Sequence, residues 1–454
     1  LACAICIRPD SPTAEYVATI RIDTRTISFA DAVRDAERWW SAMDAYQPMD
    51  VPECARMPVY STWYAFHHGF DAEKLLAECR AFHALGCRTL IVDGGWYKDN
   101  DIRGLGWSGD WRPAPSKFSD MRAFVDAVHA IGMRVMVWFG VPFVGIHAAA
   151  HDQWQDKMLN GDAPMEAHKL DPRFPEVRAH LTDVYRSAVR DWDLDGVKLD
   201  FIDSFPQEAP ASVGADAMSI ATAVDLLLQS IRAALIAEKP NLMIEFRQRY
   251  IGPRMRKFAN ILRSTDCPCD SYTNRMNVLS LRLTSGKTAV HSDMVMWPPE
   301  ISVEMAAFQL TNVLFSVPQI SVRYDNLPET HRRMVTQYLR FWTTHRKTLL
   351  NGALSVHGYT ANFTSVSARL GIEQIAVLYA GQAVPLDSAA DQIFVVNATQ
   401  YREIWLSGLV GRWQITVTDC MGTQTCSDVE VCPVNDVIHV NAPINGYIAL
   451  MRIS

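Results

Sequence analysis

The chain has 454 residues, 49% of them hydrophobic and 20% charged, with a formal net charge of −7 and a sequence pI near 6.0. This is the composition of a folded protein with a large core, and with no Lys/Arg run it speaks against a nucleic-acid footprint. No apolar stretch reaches the roughly 18 residues needed to span a bilayer, so neither nucleic acid nor membrane is expected as a partner.

The opening residues, LACAICIRPD and then YVATIRID, alternate like strands without partners. Residues 1–52 are therefore read as an N-terminal segment left over from a β domain. No basic region followed by an apolar stretch marks a signal peptide. Ten cysteines in a chain of this length are not a disulfide framework, and reduced thiols in a cytoplasmic protein are the expectation. Cys3-x-x-Cys6 and Cys267-Pro-Cys269 look like halves of a zinc site, but no His/Cys pair at zinc-finger spacing accompanies them. No metal or organic cofactor is expected.

Between Val59 and Arg346, short apolar runs alternate with longer amphipathic stretches. The runs are V59–F66, T89–W96, R134–G140, G196–F201, L242–Q248, I261–D266, A289–D293 and Q319–V322. Each is short and rich in Val, Ile, Leu or aromatics, as a strand buried on both faces should be. The stretches between them, such as AEKLLAECRAFHALG, place apolar residues at three- and four-residue steps. Pro175-Glu176 reads as a helix start, and Gly86 and Gly132 as helix ends. Eight such units predict an α/β fold, a (β/α)₈ TIM barrel over residues 53–348. A doubly wound sheet is the other fold such alternation allows, but no Gly-rich phosphate loop follows the first run. Past residue 350, runs such as QIAVLYA, QIFVVNA and RWQITVTD are short alternating strands separated by turn residues. They predict a C-terminal antiparallel β-sandwich over residues 349–454.

In such a barrel, the C-terminal strand ends face the active-site mouth. Carboxylates gather there: Asp93 ending the second strand, Asp200 the fourth, Glu245 near the end of the fifth, Asp266 ending the sixth and Asp293 the seventh. Lys198 shares the strand face of Asp200, because side chains alternate with period two. A single Asp at a strand end is often only a cap. Several on one rim raise one another's pKa, the arrangement glycosidic cleavage uses, with one carboxylate attacking and a protonated partner donating. Metal-dependent barrels use similar acids but add His ligands, and only His291 stands at a strand end.

The segment VDGGW…LGWSGDWRPAPSKF…GMRVMVWFGVPF…LDPRFPEV…DGVKLDF resembles the catalytic barrel of glycoside hydrolase family 36, whose α-galactosidases share barrel and chemistry with family 27. The resemblance covers roughly residues 59–350. It implies that Lys198-Leu199-Asp200 carries the nucleophile, Asp200, and that Asp266 in Arg263-Ser264-Thr265-Asp266 is the acid/base. It further implies sugar contacts from Asp93, Trp96, Trp111 and Trp63, and from either Arg247 or Arg249, whose EFRQRY setting differs from the family's. Lys198, Glu245, His291 and Asp293 complete the expected substrate-binding set. Gly94 stands where the family has the second acid of an Asp-Asp-Gly-Trp run, which removes one contact to a sugar hydroxyl and leaves galactose specificity open. Asp99, Asp101 and Asp110 are the nearby acids that could replace it.

The expected function is a retaining exo-α-glycosidase acting on an oligosaccharide or other glycoside, and a homo-oligomer is compatible with the sequence. A transglycosylase of the raffinose-synthase type and a catalytically silent sugar-binding protein are the alternatives.

Overall fold

The computed structural model describes residues 14–159, 164–210, 212–432 and 437–453. Eight parallel strands close into a barrel in chain order: β1 Val59–Ser61, β2 Thr89–Val92, β3 Arg134–Gly140, β4 Gly196–Asp200, β5 Met243–Arg247, β6 Ile261–Arg263, β7 Ala289–Val295 and β8 Val317–Ile320. Each apolar run of the sequence supplies one strand, and β8 pairs with β1 to complete the ring. Almost every strand residue is buried, because barrel strands face side chains on one side and helices on the other. β4 approaches β5 so closely that a Cβ on Gly196 would stand 2.6 Å from the Met243 carbonyl oxygen, so only glycine fits there.

Five strands are shorter than their apolar runs, whereas β3 matches its run, β7 extends two residues past it and β8 starts two residues before it. The first run breaks after Ser61, and Trp63–Phe66 form a helical turn. The free amides of that turn, Tyr64 and Ala65, both donate to Ser321 Oγ at 2.9 and 3.0 Å. Outside the barrel lie α1 Phe29–Ser41, α2 Ala72–Leu85, α3 Met121–Ile131, α4 Pro175–Trp192, α5 Ile220–Glu238, α6 Ser271–Thr284, α7 Val303–Thr311 and α8 Glu329–Asn351. Asp71 and Asp120 cap α2 and α3 by accepting from the amides of Lys74 and Ala123. Gly86 and Gly132 end these helices in the left-handed region, at φ +116° and +97°. The connection from β5 to β6 carries only a 3₁₀ turn, Met255–Lys257. α5 corrects one reading of the sequence, since it is long and apolar enough to cross a membrane. It lies on the barrel beside α4, with Leu227, Leu228, Ile231 and Leu235 buried.

YVATIRID was expected to form strands; residues 16–28 carry none and are exposed. A strand holds only when its backbone groups find a partner edge, and none among the described residues reaches this segment. The chain turns helical at α1, capped by Ser28. Cys3 and Cys6 lie outside the described residues.

Beyond α8 come β9 Ala353–His357, β10 Ser365–Leu370, β11 Glu373–Leu378, β12 Ala383–Pro385, β13 Gln392–Asn397, β14 Glu403–Ser407, β15 Gly411–Thr418, β16 Gln424–Cys432, β17 Val437–Asn441 and β18 Tyr447–Ile453. They form a seven-stranded sheet, β9-β10-β11-β13-β18-β15-β16, packed on a three-stranded one, β12-β14-β17. Pairing is mostly antiparallel, with β11–β13 and β12–β14 parallel. The middle strands of the large sheet are buried on both faces, and their period-two pattern shows how. Ile375, Val377, Phe394 and Val396 join the barrel core, while Ala376, Leu378, Ile393 and Val395 join the core between the sheets.

Candidate active site

A cavity of about 490 Å³ opens at the C-terminal ends of the strands, and Asp93, Lys198, Asp200, Asp266, Trp63 and Trp138 are on its wall. Asp200 ends β4 and is nearly covered, at 7% exposure. Its Oδ2 accepts from Trp138 Nε1 at 2.8 Å. Its Oδ1 accepts from Arg247 Nε at 2.5 Å and from the amide of Phe201 at 2.7 Å. Phe201 holds φ +63°, a left-handed conformation rare for an aromatic residue, and this turns the backbone so that its amide meets the carboxylate. Burial acts to raise the pKa of Asp200, but Arg247 and then Lys198 outweigh it, and the carboxyl stays below its ordinary range. Lys198 reaches across to Asp93 at 2.7 Å. Burial pulls the Lys198 pKa down, but Asp93, Glu245 and Asp200 together outweigh it and hold the ammonium above its ordinary value.

Asp266 lies three residues past β6 in the loop that follows, with its side chain half exposed. Arg263 Nη2 donates to it at 2.8 Å. Burial tends to raise this carboxyl, yet Arg263 and then Lys198 pull it down to about 2. Mutual repulsion of clustered acids was expected to raise it; the cations interleaved between the acids reverse the sign. Repulsion and burial act elsewhere. Asp293 is fully buried and pushed up to about 6, first by desolvation. It accepts from Arg263, from Tyr64 Oη at 3.1 Å and from the Cys267 amide at 2.7 Å. Glu245 is also sealed in, raised by burial, and accepts from Gln319 Nε2 at 2.5 Å.

The remaining residues singled out from the sequence divide between wall and core. Trp63 is on the cavity wall. Trp96 and Trp111 are in the core, stacked at 6.1 Å, where Trp96 Nε1 donates to the Trp138 carbonyl and so supports that residue from behind. Arg247 holds Asp200, whereas Arg249 is exposed and does not line the cavity. His291, Glu245 and Asp293 sit below the cavity rather than on it. His291 is pushed down to about 4, mainly by burial, and its Nε2 lies 2.8 Å from the Ala55 carbonyl. None of the candidate replacement acids lines the cavity: Asp99 accepts from Ser116, Asp101 pairs with Lys117, and Asp110 caps Ala149 and Ala150.

Sequence reading missed Trp138, Arg263 and Phe201. A signal existed for the first two, since an inward-phased Trp on β3 and an Arg inside an apolar strand both need polar partners when buried. Nothing in the sequence marks the left-handed turn at Phe201. Among the described residues, the one grouping of possible metal-ligand atoms is Asp126, His129 and Asp193. It lies at helix C-termini, away from the cavity, with Lys239 3.1 Å from Asp193.

Residues 53–247 match the family model described as Melibiase. Over 178 residues the chain is 24% identical to an A type blood α-D-galactosamine galactosaminidase of Flavonifractor plautii, an overlap of 35% of this chain and 16% of that protein. A probable α-galactosidase G of Emericella nidulans is 24% identical over 163 residues, covering 32% of this chain and 22% of the relative. In structure, the chain resembles a family 36 α-galactosidase, AgaA of Geobacillus stearothermophilus in complex with raffinose. The TM-score is 0.64 at 14% identity, covering 93% of this chain and 59% of the other. The chain thus spans less than two thirds of each of these proteins. The family match begins before β1 and ends with Arg247, taking in Asp93, Lys198 and Asp200 and stopping short of Asp266. Residues 53–247, under half of the chain, are thus similar to a melibiase domain of the glycoside hydrolase family 27 and 36 type.

Proposed function

We propose that the protein is a retaining exo-α-glycosidase of the α-galactosidase type, with Asp200 as nucleophile and Asp266 as acid/base. The observation that supports this best is the state of Asp200: stripped of water, yet kept ionised by Arg247 and Lys198 on the wall of a cavity it shares with Asp266. A desolvated carboxylate held by fixed dipoles needs little reorganisation to attack. In the first step an Asp200 oxygen bonds to the anomeric carbon, the glycosidic bond breaks, and Asp266 gives its proton to the leaving oxygen. In the second, Asp266 takes a proton from water, whose oxygen displaces Asp200. Asp266 at about 2 suits the second step better than the first. A substrate that covers the half-exposed Asp266 adds desolvation and raises it toward the donor form, which predicts an acidic optimum for poor leaving groups.

The test is a screen of nitrophenyl glycosides, including α-galactoside, α-N-acetylgalactosaminide, β-L-arabinopyranoside and α-glucoside, with the first-formed product anomer read by proton NMR. Retention with the best α-glycoside is expected. An inverted first product overturns the double displacement, and no turnover of any member overturns the hydrolase reading.

A further inference from the structure

Each carboxylate on the cavity wall has a cation of its own. Asp93 has Lys198 at 2.7 Å, Asp200 has Arg247 at 2.5 Å, and Asp266 has Arg263 at 2.8 Å. Arg103 also lines the cavity, and no carboxylate stands within ion-pair distance of it among the described residues. Its guanidinium lies over the Trp63 ring, 5.1 Å from the centroid, and the residue is exposed. Contact with a ring through the guanidinium face leaves the in-plane N–H groups free to donate.

The surroundings of Arg103 are positive. Lys98 and Lys117 act with it on His68, Asp101 is taken up by Lys117 at 3.2 Å, and Glu166 acts on Lys98. His68, on the same wall, contributes no charge near neutral pH: burial first, then Lys98, Lys117 and Arg103, push it down to about 4. Asp93, Lys198 and Asp200 form the buried floor, whereas Arg103 is at the mouth. A terminal sugar seated on that floor leaves its departing partner beside Arg103.

We propose that Arg103, braced on Trp63, binds a carboxylate carried by the leaving-group side of the substrate, so that the preferred substrates are glycosides of an acidic aglycone, such as a uronic-acid unit. The guanidinium fork matches a carboxylate with two parallel hydrogen bonds. This inference rests on the reading of the cavity as a glycosidase site.

The test uses aryl glycosides of the sugar that the screen favours, with and without a carboxylate on the aryl ring, against wild type, Arg103→Ala and Arg103→Lys. The readout is the ratio of kcat/KM for the acidic and neutral substrates. Dividing the wild-type ratio by that of Arg103→Ala cancels the intrinsic difference between the two leaving groups. The quotient is expected to be on the order of tenfold at low ionic strength and to shrink with added salt, with Arg103→Lys between. A quotient of one overturns the inference while hydrolysis of the neutral substrate leaves the glycosidase reading standing. If neither substrate turns over, the glycosidase reading falls, and calorimetric titration of the same two compounds decides the carboxylate question: equal affinities for wild type and Arg103→Ala overturn it.

Discussion

At the scale of single residues, the two candidate carboxylates differ in what surrounds them. Asp200 is held on both oxygens, by Arg247 and the Phe201 amide on one and Trp138 on the other; Asp266 is half exposed and held by Arg263. Asp200→Asn is therefore expected to abolish turnover of every substrate. Asp266→Asn should spare the first step for leaving groups that need no proton, such as dinitrophenol. A Brønsted series across aryl leaving groups checks this, and identical responses of the two variants would mean the roles are misassigned. Gly94 is the second residue-scale question. Its φ lies outside the left-handed region, and a Cβ there would stand 3.6 Å from the Trp138 ring and 3.7 Å from Trp63, ordinary contact distances. The glycine is thus not demanded by the backbone, and Gly94→Asp should fold. If the missing acid redirects specificity, this variant gains α-galactoside activity, since a carboxylate hydrogen bond to a hydroxyl contributes on the order of 1.5–3 kcal/mol. Steady-state kinetics on nitrophenyl α-galactoside read the gain; strong wild-type activity there with no better substrate removes the premise.

At the scale of elements, Arg263 ties three neighbouring strands together. From β6 it reaches Glu245 on β5 at 3.5 Å and Asp293 on β7 at 2.5 Å, besides Asp266 in its own loop. Glu245 and Asp293 are both fully buried around this arginine, and desolvation first, then repulsion from Asp266, raises the Asp293 pKa to about 6 from 3.8. A raised folded pKa means that the folded state binds this proton more tightly than the unfolded chain. Its stabilising contribution is full below about pH 3.8 and is lost as pH rises through about 6. Asp266 has the opposite sign in a separate window, its contribution present above 3.8 and lost toward about 2. Thermal melts from pH 4 to 7 should show wild type losing stability relative to Asp293→Asn as pH rises. A constant difference across that range would contradict the raised pKa.

At the scale of the whole molecule, the C-terminal sheets are part of the barrel's packing. α8 is sandwiched between the barrel and the large sheet, with His345 bonding Glu373 at 2.8 Å and Phe341 against Phe394 and Tyr447. Truncation after Gly352 would expose Tyr338, Phe341 and Leu349, an apolar face of a helix that also closes the barrel. The truncated barrel is expected to be insoluble or to melt far below the full chain, as thermal denaturation and sedimentation would show. A soluble truncated barrel with unchanged melting would mean that the sheets are an independent module.

The sequence by itself determined the architecture, because eight doubly buried strands at regular spacing are a local, periodic signal, and each apolar run became one barrel strand. It also picked out Asp93, Lys198, Asp200, Asp266 and Trp63, which share one cavity because residues at C-terminal strand ends converge there whatever the loops do. Periodicity misled at YVATIRID, where alternation without a partner edge made no strand, and at Trp63–Phe66, where Ser321, just past the neighbouring strand β8, accepts from the first amides of a helical turn. Only the tertiary structure separated wall from core. Trp96, Trp111, His291, Glu245 and Asp293 carry the same residue types at the same kind of position as the wall residues, yet they are buried, Glu245 and Asp293 against Arg263 of the neighbouring strand and Trp96 against Trp138. Only there, too, was the charge state of the acids decided. Composition along the chain shows clustered carboxylates, but whether they repel or are neutralised depends on which arginine and lysine the closed barrel inserts between them, and electrostatic energy follows distance in space rather than separation along the chain.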